Sequence, residues 1–384
     1  MPGTQPICSG LVERIGMEDA QIFHKTFLHG EEKLLKETAS IATHEAGLLK
    51  VAELLTAGEN AVIKDPKEIN VVGHRVVHGG EDFKETTIIN SAIKEKIKEL
   101  FALAPLHNPA NYLGIEVAEK IFSLATQVAV FDTSFHQSMP ADAFRYAIPQ
   151  KFYTEYRIRA YGFHGTSHKY VSRQATAYLN KPGAKLITIH LGNGCSMAAV
   201  EAEKSLDTTM GFGPLSGLVM GTRAGDIDPS IIFHLVEQLG YPLKEVSELL
   251  NKKSGMQGLT GLSDMRDINK AAEAGNPDAI IATAMYTYRI KKYIGAYAAI
   301  LNGLDAIVFT AGVGENAANI REQVCNNMQY LGIHLDEEKN LQAKGTLREI
   351  SIPTSPVKIL VIATNEELEI AQQCYELLLA NLSK

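Results

Sequence analysis

The sequence predicts an α/β protein of two domains. Short apolar runs alternate with amphipathic stretches along most of the chain, the pattern of buried strands covered by helices. A length of 384 residues exceeds what one hydrophobic core usually serves. Glycine-rich and polar clusters follow the apolar runs, where sheets of this class place their ligands.

The runs at 69–77, 127–133, 186–191, 305–310 and 357–363 read as buried strands. Helical spacing occupies 44–55, 91–101, 110–122, 168–179, 277–301 and 366–379. Asp228 ahead of Pro229 suits the N-cap and first turn of a helix running to Gln238. No short repeat or low-complexity linker interrupts the chain. The boundary is expected near 134–150, before the aromatic-rich stretch 152–161, giving domains 1–133 and 134–365.

Apolar residues make up 45% and charged residues 21%, the balance of a folded enzyme. The 37 basic and 44 acidic side chains give −7 without a long single-sign run, which excludes a nucleic-acid footprint. An anionic substrate is then captured by local arginines and backbone N–H groups. No apolar run reaches the ~18 residues of a membrane span, and the start lacks a secretory pattern. Cys8, Cys195, Cys325 and Cys374 are far apart, as free thiols of a reducing cytoplasm would be. Cys195 sits in a glycine-rich loop but has no neighbouring signature of a thiol nucleophile.

Two strand ends run into glycine. One is Gly192, Asn193, Gly194, Cys195 and Ser196; the other is Ala311, Gly312, Val313, Gly314, Glu315 and Asn316, read as a loop before a helix. Glycine lets backbone N–H groups approach a phosphate, although tight turns use it equally. Two such places in one chain favour a nucleotide. Neither is a P-loop or a dinucleotide fingerprint. Arg75 lies inside an apolar run, where a buried guanidinium needs an anion or a structural carboxylate, and Arg223 sits on a small-residue loop. A guanidinium binds a carboxylate bidentately and can brace phosphoryl oxygens.

Histidines gather as His107, His164, His168 and His190, the last at a strand end. The i,i+4 pairs His164/His168 and His74/His78 lack the Glu of a zinc-binding H-E-x-x-H motif. Imidazoles donating to phosphate, or hydrogen-bonded core residues, are favoured over a zinc site, which stays the minor alternative. Asp132 at a strand end and Glu366 at a helix start suit Mg²⁺, which needs only one or two carboxylates beside nucleotide phosphates. Stabilisation by the helix dipole is the plain alternative for Glu366.

These clusters resemble the acetokinase family, within the superfamily of acetate and sugar kinases, actin and heat-shock ATPases. The matching blocks are GHRVVHGG from residue 73, APLHNPAN from 104, FDTSFHQSMP from 131 and YGFHGTSH from 161. HLGNGCS from 190, DTTMGFGPLSGLVMGTRAGDIDP from 207, FTAGVGEN from 309 and TNEELEIA from 364 complete them. The resemblance implies two RNase H-like domains with a nucleotide cleft between them, the helix 366–384 joining the first. It also implies a cytoplasmic homodimer that transfers phosphate reversibly between ATP and acetate with Mg²⁺ or Mn²⁺, giving ADP and acetyl phosphate. By motif, Arg75 holds the carboxylate, Asp132 is the acidic residue of the active centre, and His164 and Arg223 brace the phosphoryl group. His190, Leu191, Gly192, Asn193 and Gly194 line the nucleotide with Gly312, Val313, Gly314, Glu315 and Asn316. Asp264, Met265 and Arg266 contact base or ribose, and Glu366 helps hold the metal. Val77, Leu106, Phe163 and Pro214 surround the methyl group, with His107 alongside. The bulk of Val77 favours acetate over propionate or butyrate.

Family members open with a strand, an Asn/Gly/Ser-rich phosphate loop and a Lys. Here Ser9, Gly10 and Leu11 resemble a point past that loop. The expectation is a native start upstream of Met1. The alternative is a folded nucleotide-binding protein with little catalysis, its first sheet open where that strand would pair.

Overall fold

The computed structural model describes residues 3–28, 30–105, 107–342 and 345–382. The chain forms two compact units, Met1–Phe131 with Glu367–Lys384, and Asp132–Glu366.

The first unit opens with an antiparallel meander, β1 (Cys8–Glu13), β2 (Ala20–Leu28) and β3 (Glu31–Ala39). Ala20, Ile22, His24 and Thr26 alternate inward on β2, the period of a half-buried strand. Charged side chains dominate β3, as suits a sheet edge. A second sheet has the order β4-β6-β5, from β4 (Val71–Val76), β5 (Thr87–Ile88) and β6 (Thr126–Phe131). The crossover between the parallel strands β4 and β6 carries the helix Asn108–Ile121. Val76, Ile97, Ile115 and Phe131 form one core, with the Phe83 and Phe131 rings stacked at 4.3 Å. Val128 and Val130 point the other way, toward Ile370 and Cys374 of the helix Glu366–Leu382. That helix packs where Gly73 has no side chain; a Cβ there would lie 2.7 Å from Ile370.

The buried strand expected at 69–77 needs correction. Among the described residues β4 pairs with β6 alone, so Gly73 and Arg75 are exposed and Val76 is the strand's one fully buried position. The cost of burying a guanidinium is therefore no argument for an anion at Arg75.

The second unit holds a six-stranded sheet of order β11-β12-β10-β7-β8-β9. Its strands are β7 (Lys185–Leu191), β8 (Cys195–Glu201), β9 (Lys204–Thr208), β10 (Ala306–Thr310), β11 (Leu347–Glu349) and β12 (Lys358–Ile362). β10 runs parallel to both β7 and β12 and is buried throughout. Val171 and Ala175 of the helix Gly165–Leu179 pack on Leu186, Ala198, Val308 and Leu360. A second helix, Pro277–Ile300, starts from an Asn276 side chain that caps two backbone N–H groups. The three parallel strands end on the same side, releasing His190, Ala311 and the segment before Glu366 there. The run 311–316 is not a loop ahead of a helix. It is itself the helix Ala311–Asn316, turned directly off β10 by Ala311 at φ 63°.

Candidate active site

β7 delivers His190 and then turns through Gly192, Asn193 and Gly194 into β8, the Gly192 N–H donating to the Gly194 carbonyl at 3.1 Å. The His164 ring stacks on His190 with centroids 4.3 Å apart. His164 takes φ 55° at the start of the helix Gly165–Leu179, a left-handed conformation that a side chain rarely adopts without a reason. Hydrogen bonds hold both rings. His190 Nδ1 meets Ser167 Oγ at 2.8 Å, and Ser167 meets Thr364 Oγ1 at 2.9 Å. His164 Nδ1 and His168 Nε2 meet on Ser196 Oγ at 2.8 and 2.7 Å. Burial holds His168 well below the usual imidazole range, so it is neutral.

Asp132 is buried beside the same helix start. Its carbonyl accepts from the Gly165 N–H at 2.9 Å and its carboxylate from Thr166 Oγ1 at 3.2 Å. Any side chain at residue 165 would collide with the Asp132 carbonyl.

Arg223 reaches in from the loop between Gly217 and Asp226, with Nη1 donating to the Pro214 carbonyl at 3.0 Å. Burial lowers its pKa, yet a guanidinium stays charged in a protein. A Cβ built on Gly194 would stand 3.4 Å from both Arg223 Nη1 and the His164 ring. The cation, the imidazole and the bare backbone of the glycine turn therefore face one small space.

A cavity of about 760 Å³ opens beside it, within the size range of small-ligand sites. Gly192 and Asn193 line one part, Asp264, Met265 and Arg266 another, and Gly312, Val313 and Asn316 a third. Asp264 caps the helix Met265–Glu273 and pairs with Arg266 at 2.5 Å, which pulls its carboxyl down to about 2. Leu191 is core, and neither it nor Gly314, Glu315 or Gly194 lines this cavity. Glu315 instead accepts the Thr364 N–H at 3.2 Å, behind the wall.

The first unit gathers Arg75, Val77 and His107 near the end of β4. The Val77 N–H donates to Asn111 at 3.1 Å, and Asn108 bridges both backbone groups of His78. His107 is exposed at the start of the helix Asn108–Ile121. Leu106 lies outside the described residues. Phe163 is buried in the second unit, its carbonyl accepting from His136 at 3.0 Å. Among the described residues no three His, Cys, Asp or Glu side chains form a metal cage. Glu366 closes the second unit and opens the helix Glu366–Leu382.

The profile of the acetokinase family matches residues 2–372. The chain belongs to the acetokinase family. It is therefore a kinase. The acetate kinase of Flavobacterium johnsoniae is 58% identical over 378 residues, 98% of this chain and 95% of that protein. The acetate kinase of Thermotoga maritima is 50% identical over 382 residues, 98% of this chain and 94% of the relative. The crystal structure of Porphyromonas gingivalis acetate kinase superposes with a TM-score of 0.90 at 42% identity, covering 97% of this chain and 93% of the other. A propionate kinase structure from Francisella tularensis gives 0.88 at 42% identity, covering 96% and 92%. The two-domain RNase H-like architecture of this acetokinase follows. No helix among the described residues is long and apolar enough to cross a membrane.

Several side chains of this acetokinase site escaped the sequence reading. Ser167 and Ser196 orient two histidines, and Tyr286, Asn269 and Asn319 line the cavity. The Tyr286 hydroxyl lies 3.3 Å from the Cys195 thiol, which burial pushes up to about 11 and leaves unreactive. Tyr286 reads in sequence as one more buried position of a long helix.

Proposed function

We propose that this chain catalyses reversible phosphoryl transfer from ATP to acetate, giving acetyl phosphate and ADP. The observation that carries the reading is the approach of Arg223 and His164 to the bare backbone of Gly194, next to a nucleotide-sized cavity.

Acetate is ionised at neutral pH, since carboxylic acids of this kind titrate near ~4. No strong general base is required, and Asp132 is not assigned that role. An acetate oxygen, held through its carboxylate by Arg75, attacks the γ-phosphorus while the bond to the β,γ-bridging oxygen breaks and ADP leaves with the electron pair. The work left to the protein is alignment of two anions and compensation of charge on the moving group. Arg223 and His164 supply positive charge and a hydrogen bond to its equatorial oxygens. Asp264, Met265, Arg266, Gly312, Val313 and Asn316 hold the nucleoside end, and His190, Gly192, Asn193 and the bare backbone of Gly194 the phosphate end. Magnesium arriving with the nucleotide and facing Glu366 would lower the charge on the β- and γ-phosphates. Val77 of the first unit, and Phe163 and Pro214 of the second, are the apolar side chains proposed for the methyl group. Ile231, Phe233, Leu239, Tyr241 and Leu243, all exposed in the second unit, support a homodimer. The free, buried thiols of Cys195, Cys325 and Cys374 support a cytoplasmic setting.

Stereochemistry tests the direct step. ATP chiral at the γ-phosphorus should give acetyl phosphate of inverted configuration; retention contradicts in-line transfer. The second reading is propionate, favoured by the Francisella tularensis neighbour. One methylene is worth only ~1–3 kcal/mol in an apolar pocket, so propionate should react more slowly rather than fail. Ranking kcat/KM for acetate, propionate and butyrate decides between them.

A further inference from the structure

The loop that carries Arg223 is closed at its neck. The Gly217 N–H donates to Asp226 Oδ1 at 2.7 Å, and the Asp226 N–H returns to the Gly217 carbonyl at 3.0 Å. Gly217 at φ 97° and Gly225 at φ 71° give the backbone its sharp turns there. One face of the helix Pro277–Ile300 grips this neck. Arg289 spans it, with Nη1 on the Gly217 carbonyl at 2.9 Å and Nη2 on the Asp226 carbonyl at 3.2 Å. One turn on, the Tyr293 hydroxyl donates to Asp226 Oδ2 at 2.6 Å. Tyr286, at the i, i+3, i+7 spacing with these two, meets Cys195 directly after the glycine turn. One rigid helix thus touches both the phosphate turn and the base of the Arg223 loop. Pro214, whose carbonyl holds the Arg223 guanidinium, lies just outside the same neck.

We infer that Asp226, Arg289 and Tyr293 are positioning residues that set the Arg223 guanidinium against the glycine turn. None of the three touches the reacting groups. Their action passes through the loop, because a guanidinium bracing a phosphoryl group loses effect when displaced by about 1 Å. A surface ion pair alone contributes little, and the Arg289–Asp226 contact at 3.5 Å is partly exposed. The two carbonyls and the phenol make the neck a fixed geometry rather than a charge contact. The inference rests on the proposed role of Arg223.

A double-mutant cycle tests it on the full-length enzyme. kcat, both KM values and the melting temperature are measured for Tyr293→Phe, Asp226→Asn, Arg223→Ala and each pair with Arg223→Ala. The expected result is a fall in kcat of about tenfold in Tyr293→Phe, with KM for ATP within about twofold. That fall should vanish in the Arg223→Ala background, because a displaced arginine and a missing one are then equivalent. Losses that multiply in the double variants, or that appear only in KM, overturn the inference and leave Arg223 in its role. Unchanged kcat in Arg223→Ala removes the proposed role of Arg223 itself, and the clamp with it. Asp226→Asn repeats the comparison should Tyr293→Phe melt more than a few degrees early.

Discussion

Ser196 Oγ stands 2.8 Å from His164 Nδ1 and shares its hydroxyl with His168 Nε2 at 2.7 Å. A hydroxyl has one proton, so Ser196 donates to at most one of the two rings, and at least one ring must donate to it. The tautomers of the two histidines are therefore coupled, and through them the group that His164 Nε2 would present to the phosphoryl oxygens in the proposed transfer. Ser196→Ala should lower kcat by roughly ten- to a hundredfold and shift its pH profile, with KM for acetate little changed. A variant with the parental kcat and pH profile contradicts this coupling.

The parallel strands were legible because burial on both faces writes continuous apolar runs, as at β7, β10 and β12. The meander β1–β3 was not: Glu31, Glu32, Lys33, Lys36 and Glu37 mask any alternation on an exposed edge strand. β4 carries the same apolar letters as a central strand, and only its pairing reveals an edge. The glycines of the candidate site announced themselves by residue type after strands β7 and β10, Arg75 by its place inside an apolar run and Arg223 by its small-residue loop. Ser196 and Ser167 did not, since a serine's role depends on which ring lies across the fold from it. For Arg289 and Tyr293 the helical period gives the face but not the loop that the face meets.

Gly194→Ala separates function from folding. The added methyl would stand 3.4 Å from Arg223 Nη1 and from His164, in the space assigned to phosphoryl oxygens. Because the neighbours on that side are side-chain ends, the melting temperature should fall by a few degrees at most, while kcat drops at least ~tenfold. Equal activity in the variant contradicts the assignment of that space.

Gly73→Ala acts on folding. Its Cβ would lie 2.7 Å from Ile370 and 2.8 Å from the Cys374 sulfur, so the helix Glu366–Leu382 must shift. Overpacking of this kind costs ~1–3 kcal/mol. Chemical denaturation should show that loss, and trimming the partner in Gly73→Ala/Cys374→Ala should recover part of it.

Stability should fall with acid below neutrality. Burial holds His78 and His136 down at about 4 and His168 well below its ordinary value, against ~6.5 in the unfolded chain. As pH falls from 6.5 toward 4 the unfolded chain takes up protons that the native state refuses, at ~1.4 kcal/mol per pH unit for each group. Asp207 acts oppositely: burial raises its carboxyl to about 6, so the native state gains relative stability as pH falls through that value. Three histidines outweigh one carboxyl. The melting temperature should drop by several degrees from pH 7 to pH 5, and a flat profile contradicts the buried neutral histidines.

The most direct test of the account is hydroxylamine trapping of acetyl phosphate at saturating ATP, acetate and Mg²⁺, for the parent and for Arg223→Ala. The parent should accumulate hydroxamate, and the variant should lose ~10³-fold or more in kcat while binding ATP with unchanged affinity. ATP binding without hydroxamate in the parent, or an Arg223→Ala variant altered only in KM, would contradict it.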